Sequence, residues 1–275
     1  MSRPEAMRDP QKVRELTDRI RRAAEGLDRR LTLMEVCGTH THAIAEAGVR
    51  HLLPDPVRLI SGPGCPVCVT PVGYVDRAEA LAREPGVVVC TFGDLVRVPS
   101  SDGSLETARA RGADVEIVYS ARDAVQRAAE QPDQTIVFLG VGFETTAPTI
   151  AAALAEAEQR GVTNFRVLSG HKVMPPAMRA LVDDTEVEVD GFLLPGHVAV
   201  VTGAEAFRFL AEDLGLPGAV VGFTPVDVLR GVLDMVGQRA AGRAEVKNLY
   251  RRAVPDGGNP VARQLLDRFF QAEDT

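Results

Sequence analysis

Val87-Val88-Val89-Cys90-Thr91-Phe92-Gly93-Asp94 is an unbroken apolar run that stops at a glycine and a carboxylate. Consecutive β-branched residues favour a strand. A run with no polar alternation suits a strand covered on both faces, as in a parallel sheet. Seven further runs of this kind occupy residues 31–36, 57–60, 115–119, 135–139, 165–168, 191–194 and 219–222. Helical patterns lie between them, at 72–83, 149–160, 176–181 and 204–210 among others. This strand, loop, helix, strand rhythm predicts an α/β fold built on parallel sheets.

Outside this alternation the pattern is helical. Val13, Leu16, Ile20 and Ala24 recur at helical spacing, predicting an N-terminal amphipathic helix over about 9–25 that Gly26 ends. From about Ala244, stretches at 245–253 and 261–271 around Pro255-Asp256-Gly257-Gly258 predict a C-terminal helical pair. The eight units divide four and four near Gln131-Pro132-Asp133. That predicts two similar parallel-sheet α/β domains, residues 1–130 and 131–240, with a cleft between them, then a helical segment at 241–275. A closed eight-unit barrel is the alternative.

Composition narrows the function. With 275 residues and 45% hydrophobic content, the chain can bury one large core or two ordinary ones. A net charge of −7 argues against a nucleic-acid surface, which needs clustered Lys and Arg. The absence of Trp, with only three Tyr, removes the usual base-stacking platforms. No apolar run of 18 residues is present and the first 30 residues carry no signal-peptide core. The expected location is the cytoplasm, off the membrane, where Cys65 and Cys68 would be reduced or cycling.

In a parallel α/β sheet, ligands collect at the carboxyl ends of strands. The chemically active residues fall there. Cys37-Gly38-Thr39-His40-Thr41-His42 follows the first strand, and Gly62-Pro63-Gly64-Cys65-Pro66-Val67-Cys68 the second. Asp94, Glu144, His171 and His197 follow later strands, so all are expected on one rim. A thiol at a Gly turn beside imidazoles suits a nucleophile or a soft-metal ligand, against a buried structural cysteine. Cys65-x-x-Cys68 suits a redox dithiol or two bonds to one metal. Thr70-Pro71 reads as an N-cap and N1 proline, which puts the dithiol in the loop before the helix, unlike thioredoxin. Cys90 reads as core. Glu144 reads either as a proton-moving or histidine-orienting carboxylate or as a helix cap. His51 reads as structural.

Taken together, the motifs resemble the HypD family of nickel–iron hydrogenase maturation factors. The matching segments are Met34 to Ile44, Gly62 to Pro71, Thr91-Phe92-Gly93-Asp94, Gly142 to Pro148, His171 to Met178 and Pro195-Gly196-His197-Val198. The resemblance implies a scaffold, with redox-active thiols, on which an iron group bearing two cyanides and one carbon monoxide, Fe(CN)2(CO), is assembled. It implies a HypC-type chaperone as partner and a HypE-type cyanide donor. Cys37 would ligate the iron with a cysteine of HypC, and Cys65 and Cys68 would be the redox pair. His40, His42 and Glu144 would line the same cleft, with His171 and His197 as cofactor-binding residues. The family also carries a 4Fe–4S cluster on four later cysteines, whereas no residue after Cys90 is a cysteine here. A general thiol–disulfide oxidoreductase, or a HypC-binding remnant without the cluster, are the competing expectations.

Overall fold

The structure, a computed structural model, describes residues 9–184 and 186–273. All eight apolar runs form strands, and a ninth joins them. The strands are β1 (Leu31–Glu35), β2 (Val57–Ser61), β3 (Val87–Thr91), β4 (Val115–Ile117), β5 (Thr135–Gly140), β6 (Phe165–Ser169), β7 (Gly191–Pro195), β8 (Gly218–Val221) and β9 (Val246–Asn248). They form two open sheets, ordered β2-β1-β7-β8-β9 and β4-β3-β5-β6, rather than a barrel. Every pairing is parallel.

Helices fill the crossovers, as a parallel connection requires. They are α1 (Pro10–Ala24), α2 (Gly38–Glu46), α3 (Val49–Leu52), α4 (Val72–Ala82), α5 (Leu105–Ala110), α6 (Ala121–Glu130), α7 (Ala147–Gln159), α8 (Met174–Asp183), α9 (Gly196–Thr202), α10 (Phe209–Glu212), α11 (Pro225–Ala240) and α12 (Pro260–Phe269). Asp9 opens α1 by accepting from the Gln11 N–H, and Pro10 sits in its first turn. Among the described residues no helix is long and apolar enough to cross a membrane.

The apolar runs explain the layers. Val88, Cys90, Ile136 and Phe138 pack on Ala124 and Val125 of α6 and Ile150 of α7. Their strand neighbours Val89, Val137 and Leu139 pack on Val75 and Ala78 of α4 and Leu105 of α5. Both faces of this sheet are therefore covered, which is why β3 shows no polar alternation. In the other sheet Leu31, Leu33, Leu193, Ala219 and Val221 pack on Leu16 and Ile20 of α1 and Leu229 and Val232 of α11.

The chain falls into two compact units, residues 1–65 with 175–260 and residues 66–174 with 261–275. A boundary near 131 would part β5 from β3, its hydrogen-bonded neighbour. The second unit is instead inserted into the first, after Cys65, and the chain returns at Pro175. Counted within each sheet, the strand orders are 2-1-3-4-5 and 2-1-3-4. Both reverse direction between their first and third strands, which is β1 against β7 and β3 against β5. The two units thus share a winding.

Residues 245–253 depart from expectation. Val246–Asn248 pairs with β8 as the sheet edge, so one member of the expected helical pair is a strand and turn. Among the described residues only α12 is helical there. Pairing to an open edge has overridden local helical propensity. Thr70 is also not a cap. Its hydroxyl donates to the Pro66 carbonyl, and Pro71 stands at the N-cap of α4.

Candidate functional site

Cys37 stands where β1 gives way to α2. It is the N-cap residue, extended at φ −154° and ψ 121°, and its carbonyl accepts from the Thr41 N–H at 3.0 Å. Its thiol is half-buried and carries no disulfide. The loop after β2 runs directly against it. A Cβ on Gly64 would lie 2.4 Å from the Gly38 nitrogen and 2.8 Å from the Cys37 carbonyl carbon. Only glycine allows two backbones this close. Cys65, the next residue, is exposed. Cys68 is also exposed and precedes α4, in the loop where the sequence put it.

Glu35, the last residue of β1, joins these loops, and sequence reading passed over it. It is fully buried. Its carboxylate accepts from the Ser61 hydroxyl at 2.6 Å, the Thr41 hydroxyl at 2.8 Å and the Cys37 N–H. Arg50 of α3 reaches it at 3.4 Å. Burial pushes its pKa up, and the Ser61 and Thr41 hydroxyls, the Cys37 N–H and Arg50 pull it down. The available signal was a lone carboxylate at the end of an apolar run.

His40 and His42 diverge. His40 is buried, its Nε2 lies 3.1 Å from the Gly222 carbonyl, and its Nδ1 has no partner. Burial lowers its pKa to about 4, so it is neutral at pH 7. An Nε2–H donated to Gly222 leaves Nδ1 as the acceptor. His42, two residues along the same helix, is exposed. Phe223, which has no distinctive sequence signature, stacks with both His40 (4.6 Å) and the exposed His197 (4.1 Å). Burial lowers the His197 pKa as well. Behind Phe223, Arg252 pairs with the buried Asp227 and lies 4.5 Å over the Tyr250 ring. Cys37, Cys65, His40 and His197 therefore follow β1, β2 and β7 of one sheet, at its β1/β7 switch point. His51 is in α3 and exposed.

Asp94, Glu144 and His171 follow β3, β5 and β6 of the other sheet. The residues expected on a single rim thus stand at the strand ends of two separate sheets. Glu144 is buried, and its Oε1 accepts from the Met174 N–H at 2.8 Å, opening α8 rather than capping α7. Its Oε2 has no partner. Burial raises its pKa, and the Met174 N–H opposes that. His171 Nδ1 bonds the Ser169 hydroxyl at 3.0 Å, its ring meets Phe270 edge-on, and Nε2 is buried without a partner. Burial lowers its pKa to about 4. A cavity of about 140 Å³ opens between the ends of β3 and β5, lined by Thr91, Asp94, Val141 and Thr146 and roofed by Pro66 and Val67. This is the switch point of that sheet. Cys90 is core, with its pKa pushed up to about 12 by burial.

Among the described residues no cluster of three or more His, Cys, Asp and Glu side chains is arranged to hold a metal ion. Comparison with known proteins adds a family. The family pattern of HypD, described as the hydrogenase formation hypA family, matches residues 11–275. The hydrogenase maturation factor HypD of Escherichia coli K12 is 47% identical over 267 residues, covering 96% of this chain and 72% of that protein. The HypD of Azotobacter vinelandii is 44% identical over 98% of this chain and 72% of its own length. That of Rhodobacter capsulatus is 44% identical over 93% and 69%.

Proposed function

This chain belongs to the HypD family of hydrogenase maturation factors, and we propose that it takes part as the scaffold on which the Fe(CN)2(CO) group is assembled. The group is the substrate, and Cys37 supplies one thiolate to its iron. The observation that carries this reading is the contact of Gly64 with Cys37 and Gly38, which brings the second cysteine loop onto the first. A half-buried thiol at a helix N-terminus, beside a neutral imidazole-bearing helix, is a soft ligand for low-valent iron. The described residues offer no closed metal site, and we read the iron as shared with a second protein. The partner we infer is a HypC-type chaperone that supplies a further cysteine, with a HypE-type protein delivering cyanide.

Cys65 and Cys68 act as the electron pair. A dithiol that closes to a disulfide releases two electrons and two protons. Their exposure supports access by a reductant. His40, neutral and with a free Nδ1 lone pair, serves as a hydrogen-bond acceptor, and His197 lies beside it on Phe223. Glu144 and His171 each keep one unpartnered buried atom, Oε2 and Nε2, and we assign these two residues to binding in the second unit. We assign His42, exposed on α2, to the partner-facing surface. A resident 4Fe–4S cluster does not fit these residues. It needs four thiolates together, and the chain's four cysteines include Cys90, which is sealed in the core. We place the work in the cytoplasm.

The test is anaerobic co-purification with a HypC-type partner, followed by infrared spectroscopy. Wild type should show bands of iron-bound cyanide and carbon monoxide, and Cys37→Ala should lose them. Bands of equal intensity in Cys37→Ala would refute the assignment. Partner binding without any bands would favour a remnant that only binds, and turnover of unrelated disulfides would favour a general oxidoreductase.

A further inference from the structure

We propose that Glu35 is a positioning residue that fixes the Cys37 thiol by clamping both cysteine loops from below. The inference rests on Cys37 being the working thiol. Four donors from three segments converge on one buried carboxylate: the Cys37 N–H and the Thr41 hydroxyl, at the N-cap and in the body of α2, the Ser61 hydroxyl of β2 and the Arg50 guanidinium of α3. Its backbone works in the same direction. The Glu35 carbonyl accepts from the Gly62 N–H at 2.7 Å, which starts the loop that carries Gly64 and Cys65. Arg50 adds a bond to the Ser61 hydroxyl at 2.7 Å and another to the Leu59 carbonyl at 3.1 Å, so the donors are themselves held.

Packing alone does not call for this group. Leu33, Met34 and Val36 fill the surrounding strand positions with apolar atoms, and a buried carboxylate is costly unless its oxygens are paired. Here both oxygens are occupied, and each partner lies in a segment leading to or from a cysteine loop. That is how a supporting shell holds a reactive group to a fraction of an ångström. Glu35 touches no reacting atom in this arrangement; it acts through Cys37.

The experiment compares wild type, Glu35→Gln and Thr41→Val for site-resolved alkylation by iodoacetamide, read by peptide mass spectrometry. Circular dichroism and thermal melting report the fold. Folded Glu35→Gln should alkylate Cys37 several-fold faster than wild type, with Cys90 still protected. In the iron-loaded complex it should retain roughly tenfold less iron group, the order expected for loss of a supporting partner. If Glu35→Gln does not fold, Thr41→Val carries the test, because it removes one donor and leaves the carboxylate. An unchanged Cys37 rate in whichever variant is folded overturns the proposal. A faster rate in a protein that never holds the iron group keeps the clamp and refutes the iron assignment.

Discussion

A Cβ on Gly64 would stand 3.0 Å from the Cα of Cys37, so the loops that carry Cys37 and Cys65 meet backbone to backbone. The same Cβ would stand 2.4 Å from the Gly38 nitrogen, and none of these atoms belongs to a flexible side chain. Gly64→Ala must therefore push the two loops apart. Overpacking of this kind costs about 1–3 kcal/mol. Gly73 in α4 is the control, since a Cβ there meets nothing within 4 Å. Gly73→Ala, in the first turn of α4, should be neutral or mildly stabilising, by at most about 0.5 kcal/mol. Urea unfolding of both variants checks this, and equal midpoints would contradict the close approach.

Cys90 should behave as a closed thiol. It is fully buried on β3, packed with Ala124 and Val125 of α6, and burial pushes its pKa up to about 12. At pH 8 its thiolate fraction would be about one in ten thousand. Native protein treated with iodoacetamide should leave Cys90 unmodified and alkylate it fully once unfolded in guanidinium. Modification of native Cys90 at the rate of an exposed cysteine would show that the second core is open.

The sheets were readable because both-face burial writes itself into β3 and β5 as uninterrupted apolar runs. Strand-end placement of Cys37, Cys65, Glu144, His171 and His197 follows from the same rhythm. What the runs do not carry is which strands pair. Nothing local in Val57–Ser61 says that the chain will leave its sheet after Cys65 and return at Pro175, so a division near 131 looked natural. Val246–Asn248 is a strand only because β8 offers an open edge. Glu35 and Phe223 escaped for a related reason. A carboxylate gains meaning from donors on three other segments, and a phenylalanine from the two imidazoles stacked with it.

Asp227 should be a fragile point behind His40. Its carboxylate takes both nitrogens of the Arg252 fork and the Thr224 hydroxyl, and Thr224 in turn caps α11. A Cβ on Gly222 would lie 2.4 Å from Asp227 Oδ2, so the pair borders the carbonyl that holds His40. Asp227→Asn keeps the shape and removes the charge. Breaking a buried pair costs about 3–5 kcal/mol, and the partial exposure of Arg252 reduces this to about 2–3 kcal/mol. The urea midpoint should fall accordingly with an unchanged slope. A loss below about 0.5 kcal/mol, the scale of a surface pair, would mean that the pair is not buried in solution.

Stability should fall in acid, and His40 should be one cause. Burial lowers its folded pKa from 6.5 to about 4. Between those values the unfolded imidazole binds a proton that the folded one refuses. Its contribution is therefore fully present above about pH 6.5, is lost progressively as pH falls, and stops changing below about pH 4. A depression of this size corresponds to on the order of 3 kcal/mol. His171, also lowered to about 4, acts in the same window in the second unit. Glu35 and Glu144 oppose it. Their raised pKa values mean that their folded forms hold a proton more tightly, so their share is lost as pH rises through those values. The discriminating variant is His40→Gln, whose amide can still donate to the Gly222 carbonyl and does not titrate. Urea midpoints from pH 4.5 to 7.5 should fall less steeply with acid in His40→Gln than in wild type, even if the variant starts lower at pH 7.5. Parallel curves would mean that His40 keeps its proton equilibrium on folding, and that its neutral Nδ1 acceptor is not a property of the native site.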